Sequence, residues 1–308
     1  MVLAPMGGRT GLPTLVGMGE RGVQAAYRDA GGTRGAQVAR GAHGSRGKPT
    51  GVITRGTTNA NRLRRIDRWV AAEHAALLRS AADPLVVDLG YGASPVTTVE
   101  FWRRLRTVRP DVEMLGIEID PERVAAALPF AGDGLAFVRG GFEVPLPGAR
   151  RPVVIRAFNV LRQYGEDEVA RAWAAMCGRL APGGLLVEGT CDELGRLAAW
   201  VAVGADARPR TLTLAARLAT LGRPSDLAER LPKALIHRNV PGEPVHAFLT
   251  AFDRAWDTYA PLAPLGARQR WAAAVGALAA DWPVRTSPRR ARGGEVTLDW
   301  AAVAPLDT

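Results

Sequence analysis

Between residues 85 and 190, short β-branched apolar runs alternate with segments whose apolar positions recur every three to four residues. LVVDL at 85–89 reads as a buried strand. A helix follows over about 97–108, with Thr97 and Glu100 spaced as a capping box. MLGIEI is a second strand running into Asp120, and Pro121-Glu122-Arg123 opens the next helix. LAFVRGGF and PVVIRAFNVL supply a third and a fourth strand, the latter apolar enough to be covered on both faces. Residues 165–181 set Val169, Trp173, Met176, Cys177 and Leu180 at helical spacing, Pro182-Gly183-Gly184 stops that helix, and LLVEGT is a fifth strand. Such alternation predicts an α/β protein whose sheet is mostly parallel, with helices on both faces.

The flanks follow other rhythms. NRLRRIDRWVAAEHAALLRS places Leu63, Ile66, Trp69, Val70, Leu77 and Leu78 at helical spacing, interrupted by Glu73 and His74 at its middle turn. Past residue 190, RLAAWVAV and TLTLAARL, joined by GADARP, form an antiparallel hairpin at the sheet edge. From Pro224 onward the chain reads as helical with proline interruptions, ending in a strand at EVTLDW. Residues 1–50, rich in Gly and Arg, show no sustained apolar period and are expected to be disordered, with order beginning near Asn61.

Charge sharpens that division. The chain carries +10, and residues 1–67 hold 11 Lys/Arg against 3 Asp/Glu, so the remainder is close to neutral. A basic tail can hold nucleic acid electrostatically, but a solvated extension is the favoured reading. Only Lys48 and Lys233 are lysine among 40 basic residues, a bias that matches GC-rich coding. Two cysteines, Cys177 and Cys191, without CxxC or a His/Cys cluster, argue against a disulfide scaffold and a metal site. No apolar run approaches the ~18 residues of a membrane span, and no secretory signal is visible, so a cytoplasmic location is expected.

The chemistry is concentrated in VVDLGYGASP at 86–95. Strand, glycine turn and helix start describe half of a nucleotide-binding βαβ unit. A dinucleotide fingerprint wants a third glycine where Pro95 stands, and an apolar residue where Asp88 stands; an acid there can instead accept from an ammonium group or orient the loop. Glu118, near the end of the second strand, can take both hydroxyls of a ribose, and it supports a nucleoside without selecting which one.

VVDLGYGASP, LGIEIDPERV, RAFNVL and LAPGGLLVEGT together resemble the class I S-adenosylmethionine-dependent methyltransferases, of bacterial type, over roughly residues 60–200. The resemblance implies a Rossmann-like fold and S-adenosyl-L-methionine as cofactor. It implies that Asp88, Gly90, Tyr91 and Gly92 form the loop around the methionine end and ribose, that Glu118 holds the ribose, and that Ile119 packs on the adenine. Where the family often has Gly-Asp after the third strand, Gly140 is followed by Gly141 and Phe142, so Phe142 or Glu143 would take the adenine contact. Phe158-Asn159-Val160-Leu161 departs from the [ND]-P-P-[YF] of base-amine methylation, and Asn159 and Arg156 would touch cofactor or substrate or, equally well, serve strand-end hydrogen bonding. The organisation expected is a basic segment 1–50, a helical region 51–84, a Rossmann-like domain 85–222, and a helical region 223–308 covering a small-molecule site. Methyl transfer prescribes no universal base. Asp192, Glu193, His237 and His246 are candidates, each also explained by capping or ordinary packing. Core or interface packing explains most of the eight tryptophans, and residues 55–69 offer a lid over the site or, the favoured reading, a surface helix with a solvated arginine face. An RNA methyltransferase using the basic segment, a nicotinamide enzyme, and a silent cofactor-binding relative are the alternatives; acceptor and oligomeric state stay open.

Overall fold

The computed structural model describes residues 48–306, so most of the basic segment expected to be disordered lies outside the described residues. One eight-stranded sheet organises the rest. Its strands are β1 Leu85–Leu89, β2 Glu113–Glu118, β3 Leu135–Arg139, β4 Val154–Phe158, β5 Leu185–Cys191, β6 Leu197–Gly204, β7 Pro209–Ala216 and β8 Glu295–Asp299. They lie in the order β3-β2-β1-β4-β5-β6-β7-β8, with β1 to β5 parallel and β6 to β8 antiparallel. The hairpin and the last strand therefore extend the same sheet, and every residue of β1, β4 and β5 is buried, as their apolar runs require.

Helices cover both faces. On one side α1 Arg64–Glu73, α2 Ala75–Ser80 and α3 Val96–Arg106 bring Ile66, Trp69, Phe101 and Leu105 onto Val86, Val187 and Trp200. On the other, α5 Glu166–Cys177, α7 Pro244–Thr258 and α8 Ala267–Leu278 bring Trp173, Met176, Phe248, Phe252 and Trp271 onto Leu186, Val201 and Leu214. Between these come the short α4 Pro121–Ala127, α6 Lys233–Ile236 and, later, α9 Pro288–Arg292. Five of the eight tryptophans are buried in the two cores. The interruption at Glu73 and His74 is real: α1 ends and α2 begins around His74.

Two expectations are corrected. The capping box does not form, because Pro95 takes the N-cap of α3 and Thr97 is already inside the helix. Glu100 instead accepts the Asn61 N–H with both oxygens, at 2.9 Å each. Order also begins well before Asn61. Residues 48–58 form an extended strap across the carboxyl ends of the parallel strands, with no apolar period of its own because its bonds are made by backbone to distant loops.

Candidate functional site

The strand order reverses between β1 and β4, where the carboxyl ends of both open into one crevice, the usual ligand position in a parallel sheet. Gly90 and Gly92 leave β1 at positive φ, 72° and 83°. A Cβ on Gly90 would meet Val160 at 2.6 Å, and one on Gly92 would meet the Thr58 hydroxyl at 2.6 Å, so close approach here requires glycine. Across the crevice Asn159 ends β4 at φ 59°. Its Oδ1 accepts the Cys191 N–H at 2.9 Å and its Nδ2 donates to Cys191 Sγ at 3.3 Å, tying β4 to β5.

Glu118 is the hinge of the glycine loop. Only 1% exposed, it accepts the Gly92 N–H at 2.9 Å with one oxygen and the Ile119 and Asp120 N–H groups at 2.9 and 3.3 Å with the other. Arg123 stands 3.8 Å away. Ile119, Phe142 and Tyr164 flank it, the two rings 5.2 Å apart.

Asp88 stands where it can orient the loop, the second of its two expected roles, and not where it would meet an ammonium group. Its carboxylate turns away from the crevice into the core, where Arg156 grips it with two hydrogen bonds of 2.8 and 2.7 Å and Thr98 donates to it at 2.6 Å. Arg156 also bonds Asp67 of α1 and lies 4.2 Å over the Phe101 ring. Both expected cleft residues, Asp88 and Arg156, are thus foundation beneath the loop: they join α1, β1, α3 and β4. Burial pushes the Asp67 carboxyl up to about 7 against the pull of Arg156.

The strap divides the crevice. Thr50 donates to the Glu143 carboxylate at 2.9 Å and accepts the Phe142 N–H at 3.0 Å. Val52 donates to the Tyr164 hydroxyl at 2.6 Å, Arg123 donates to the Thr54 carbonyl at 2.8 Å, and Gly56 accepts from Ala93 at 2.9 Å. Beneath it, beside Glu118, Ile119 and Phe142, about 20 Å³ is left free. The adjoining compartment is open, about 480 Å³, and includes Gly90, Tyr91, Gly92, Asn159, Cys191 and Glu193 in its walls. Gly141 has its reason here: a Cβ would collide with the Thr50 carbonyl, so the Gly-Gly-Phe departure matches a strap lying on it. Glu143, bonded to Thr50 and Gly141, serves the strap.

The remaining candidates separate cleanly. Asp192 caps its own turn, accepting from Leu194 and Arg196 at 3.1 and 2.7 Å. His237 pairs with Lys233 and His246 with Asn239, and neither lines the crevice. Residues 54–58 and Arg62 line it, as do Arg162, Tyr164 and Arg230, the last three without having been singled out beforehand. Of these only the strap left a trace in the sequence, the glycines at 51 and 56, both at positive φ.

No family model and no curated protein matches the chain. Among solved structures it is similar, over part of its length, to magnesium protoporphyrin IX methyltransferase from Synechocystis PCC 6803 with bound SAH, at 16% identity and a TM-score of 0.32, covering 42% of this chain and 54% of that one. It is similar likewise to human N-acetylserotonin methyltransferase in complex with SAM, at 20% identity, TM-score 0.29, covering 44% and 39%. A third is a cyclopropane synthase from Mycobacterium tuberculosis, at 18% identity, TM-score 0.28, covering 39% and 41%. The chain thus spans about half, or less, of the structures it matches.

Proposed function

We propose that this chain is an S-adenosylmethionine-dependent methyltransferase acting on a small-molecule acceptor. The observation carrying the reading is Glu118, a buried carboxylate at the carboxyl end of β2, fastened to the second glycine of the loop and flanked by Ile119, Phe142 and Tyr164. A ribose presents adjacent hydroxyls and an adenine a flat apolar face, and this set of groups suits both. Gly90 and Gly92 permit the close backbone approach such a ligand needs. The residues therefore fit the nucleoside half of the cofactor.

The room beneath the strap does not yet fit it, since ligand pockets run to roughly 300 Å³ and more and only about 20 Å³ is free there. Residues 50–54 consequently swing aside to admit the nucleoside and close over it afterwards. Their tethers are few and polar, which makes that motion inexpensive relative to the buried sheet.

When bound, the cofactor supplies a methyl group on a sulfonium, already activated for in-line displacement. The chain's own work is to orient and to exclude water. The Glu118-tethered loop fixes one side of the cleft, Asn159 and Cys191 fix the other, and the strap roofs both. Glu193 is the one carboxylate among the described residues lining the open compartment, and no histidine lines it, which suits a nucleophile that needs no strong base.

Calorimetry with S-adenosylhomocysteine, NAD and NADP tests the reading. S-adenosylhomocysteine is expected to bind and the two dinucleotides to fail; the opposite order overturns it.

A further inference from the structure

The open compartment has a strongly one-sided charge. Arg55, Arg62, Arg162 and Arg230 line it against the single carboxylate of Glu193. Arg62 spends its guanidinium on three backbone carbonyls, those of Thr57, Cys191 and Asp192. Arg162 donates to the Glu229 carbonyl at 3.0 Å. Arg230 has the Glu229 carboxylate 3.7 Å away, but that side chain is 73% exposed, and the buried Nε of Arg230 has no partner. Carbonyls hold a guanidinium in place without cancelling its charge.

The strain of this arrangement is visible at Arg162, whose pKa is lowered by burial and then by Arg230 beside it. An anion lodged between the two would relieve that repulsion. A part-enclosed, cation-lined cavity concentrates anions, and guanidinium forks match the planar oxygens of a carboxylate or the oxygens of a phosphate. The cofactor proposed above brings one carboxylate together with two positive groups, so it leaves most of this charge unanswered.

We infer that the open compartment binds an acceptor bearing a carboxylate or phosphate group, held between Arg162 and Arg230 with Arg62 at the floor. The word acceptor rests on the methyl-transfer reading; the binding of the anion does not.

Calorimetry on the full chain at fixed ionic strength tests this with four probes of one shape: benzoate, phenyl phosphate, benzyl alcohol and benzylamine. At least one anion is expected to bind about tenfold or more tighter than the alcohol, with the amine weakest. Benzoate ahead of phenyl phosphate assigns a carboxylate, and the reverse order a phosphate. The double variant Arg162→Gln/Arg230→Gln should lose that preference while its unfolding temperature stays near that of the parent. Arg268→Gln/Arg292→Gln, at a separate arginine-lined cleft of about 530 Å³, should keep it. Equal binding of the alcohol, retention in the first variant, or loss in the second overturns the inference. Glu118→Ala separates the two readings: it should weaken S-adenosylhomocysteine and leave the anions unchanged. Anion binding that depends on Arg162 and Arg230, in a chain that ignores S-adenosylhomocysteine, sinks methyl transfer and leaves this inference standing.

Discussion

Glu118 and Glu188 are equally withdrawn from solvent, 1% and 0% exposed, and their surroundings are opposite. Glu118 sits where β2 ends and three backbone N–H groups converge on it. Glu188 sits in the middle of β5, between Ala157 and Val201 of the neighbouring strands, and neither oxygen has a hydrogen bond. The Trp173 indole N–H is near enough to draw the Glu188 carboxyl down a little, yet it too completes no hydrogen bond. The first is an organised charge that shapes a loop; at the second, burial outweighs the pull of the Trp173 N–H and pushes the carboxyl up to about 8. Burial by itself does not organise a charge. Converging donors at a strand end do.

The largest test of this contrast is stability against pH. Glu188 starts from 4.5 in the unfolded chain and about 8 in the folded one. Between those values only the folded state holds the proton, so unfolding releases it and stability falls as pH rises, flattening above about pH 8. Each tenfold difference in proton affinity is worth about 1.4 kcal/mol, so the loss amounts to a few kcal/mol. Glu188→Gln should remove its share of that slope in urea titrations, most cleanly between about pH 7 and pH 8, where Asp67, itself raised to about 7, has stopped contributing. An unchanged slope would show that Glu188 has a partner the contrast denies it.

Glu118 provides the next largest effect. Glu118→Ala removes charge-assisted hydrogen bonds worth about 1.5–3 kcal/mol each and frees the Gly92 N–H. S-adenosylhomocysteine affinity should drop tenfold or more by calorimetry, and the unfolding temperature should fall as well, because three backbone N–H groups lose their acceptor. Unchanged affinity would move the nucleoside elsewhere.

The contrast also explains what was legible beforehand. Local signals sufficed for the strands, for the edge hairpin and for Glu118, because alternation, apolar runs and a strand-end acid are encoded within a few residues. Asp88 looked equally local, yet its direction is set by Arg156, 68 positions away, which buries it in an ion pair. The strap carries no periodicity at all. Its structure lies in backbone bonds from Thr50 and Val52 to Glu143 and Tyr164, 93 and 112 positions on, which no window along the sequence contains. The capping box failed because Pro95, two positions before Thr97, takes the N-cap, which leaves Glu100 to accept the distant Asn61 N–H.

A smaller effect probes the roof that Glu118 works under. Gly141→Ala places a Cβ against the Thr50 carbonyl and should loosen the strap without touching Glu118. Association of S-adenosylhomocysteine in stopped flow is expected to quicken several-fold, and limited proteolysis within residues 48–58 to become faster. If association is unaffected, the strap already opens faster than the ligand arrives, and its closure does not limit entry.

The smallest expected effect concerns the histidines. His237 and His246 were attractive as bases by residue type, but each is tied to a neighbour within its own segment, Lys233 and Asn239, and neither reaches the cleft. Converging donors and a strand-end position, the features that set Glu118 apart, are missing at both. Replacing either by Ala should leave methyl transfer within about twofold, the scale of surface substitutions of ~0.5 kcal/mol. A tenfold loss with cofactor affinity intact would mean that residues 237–246 fold over the open compartment during turnover and bring an imidazole to it.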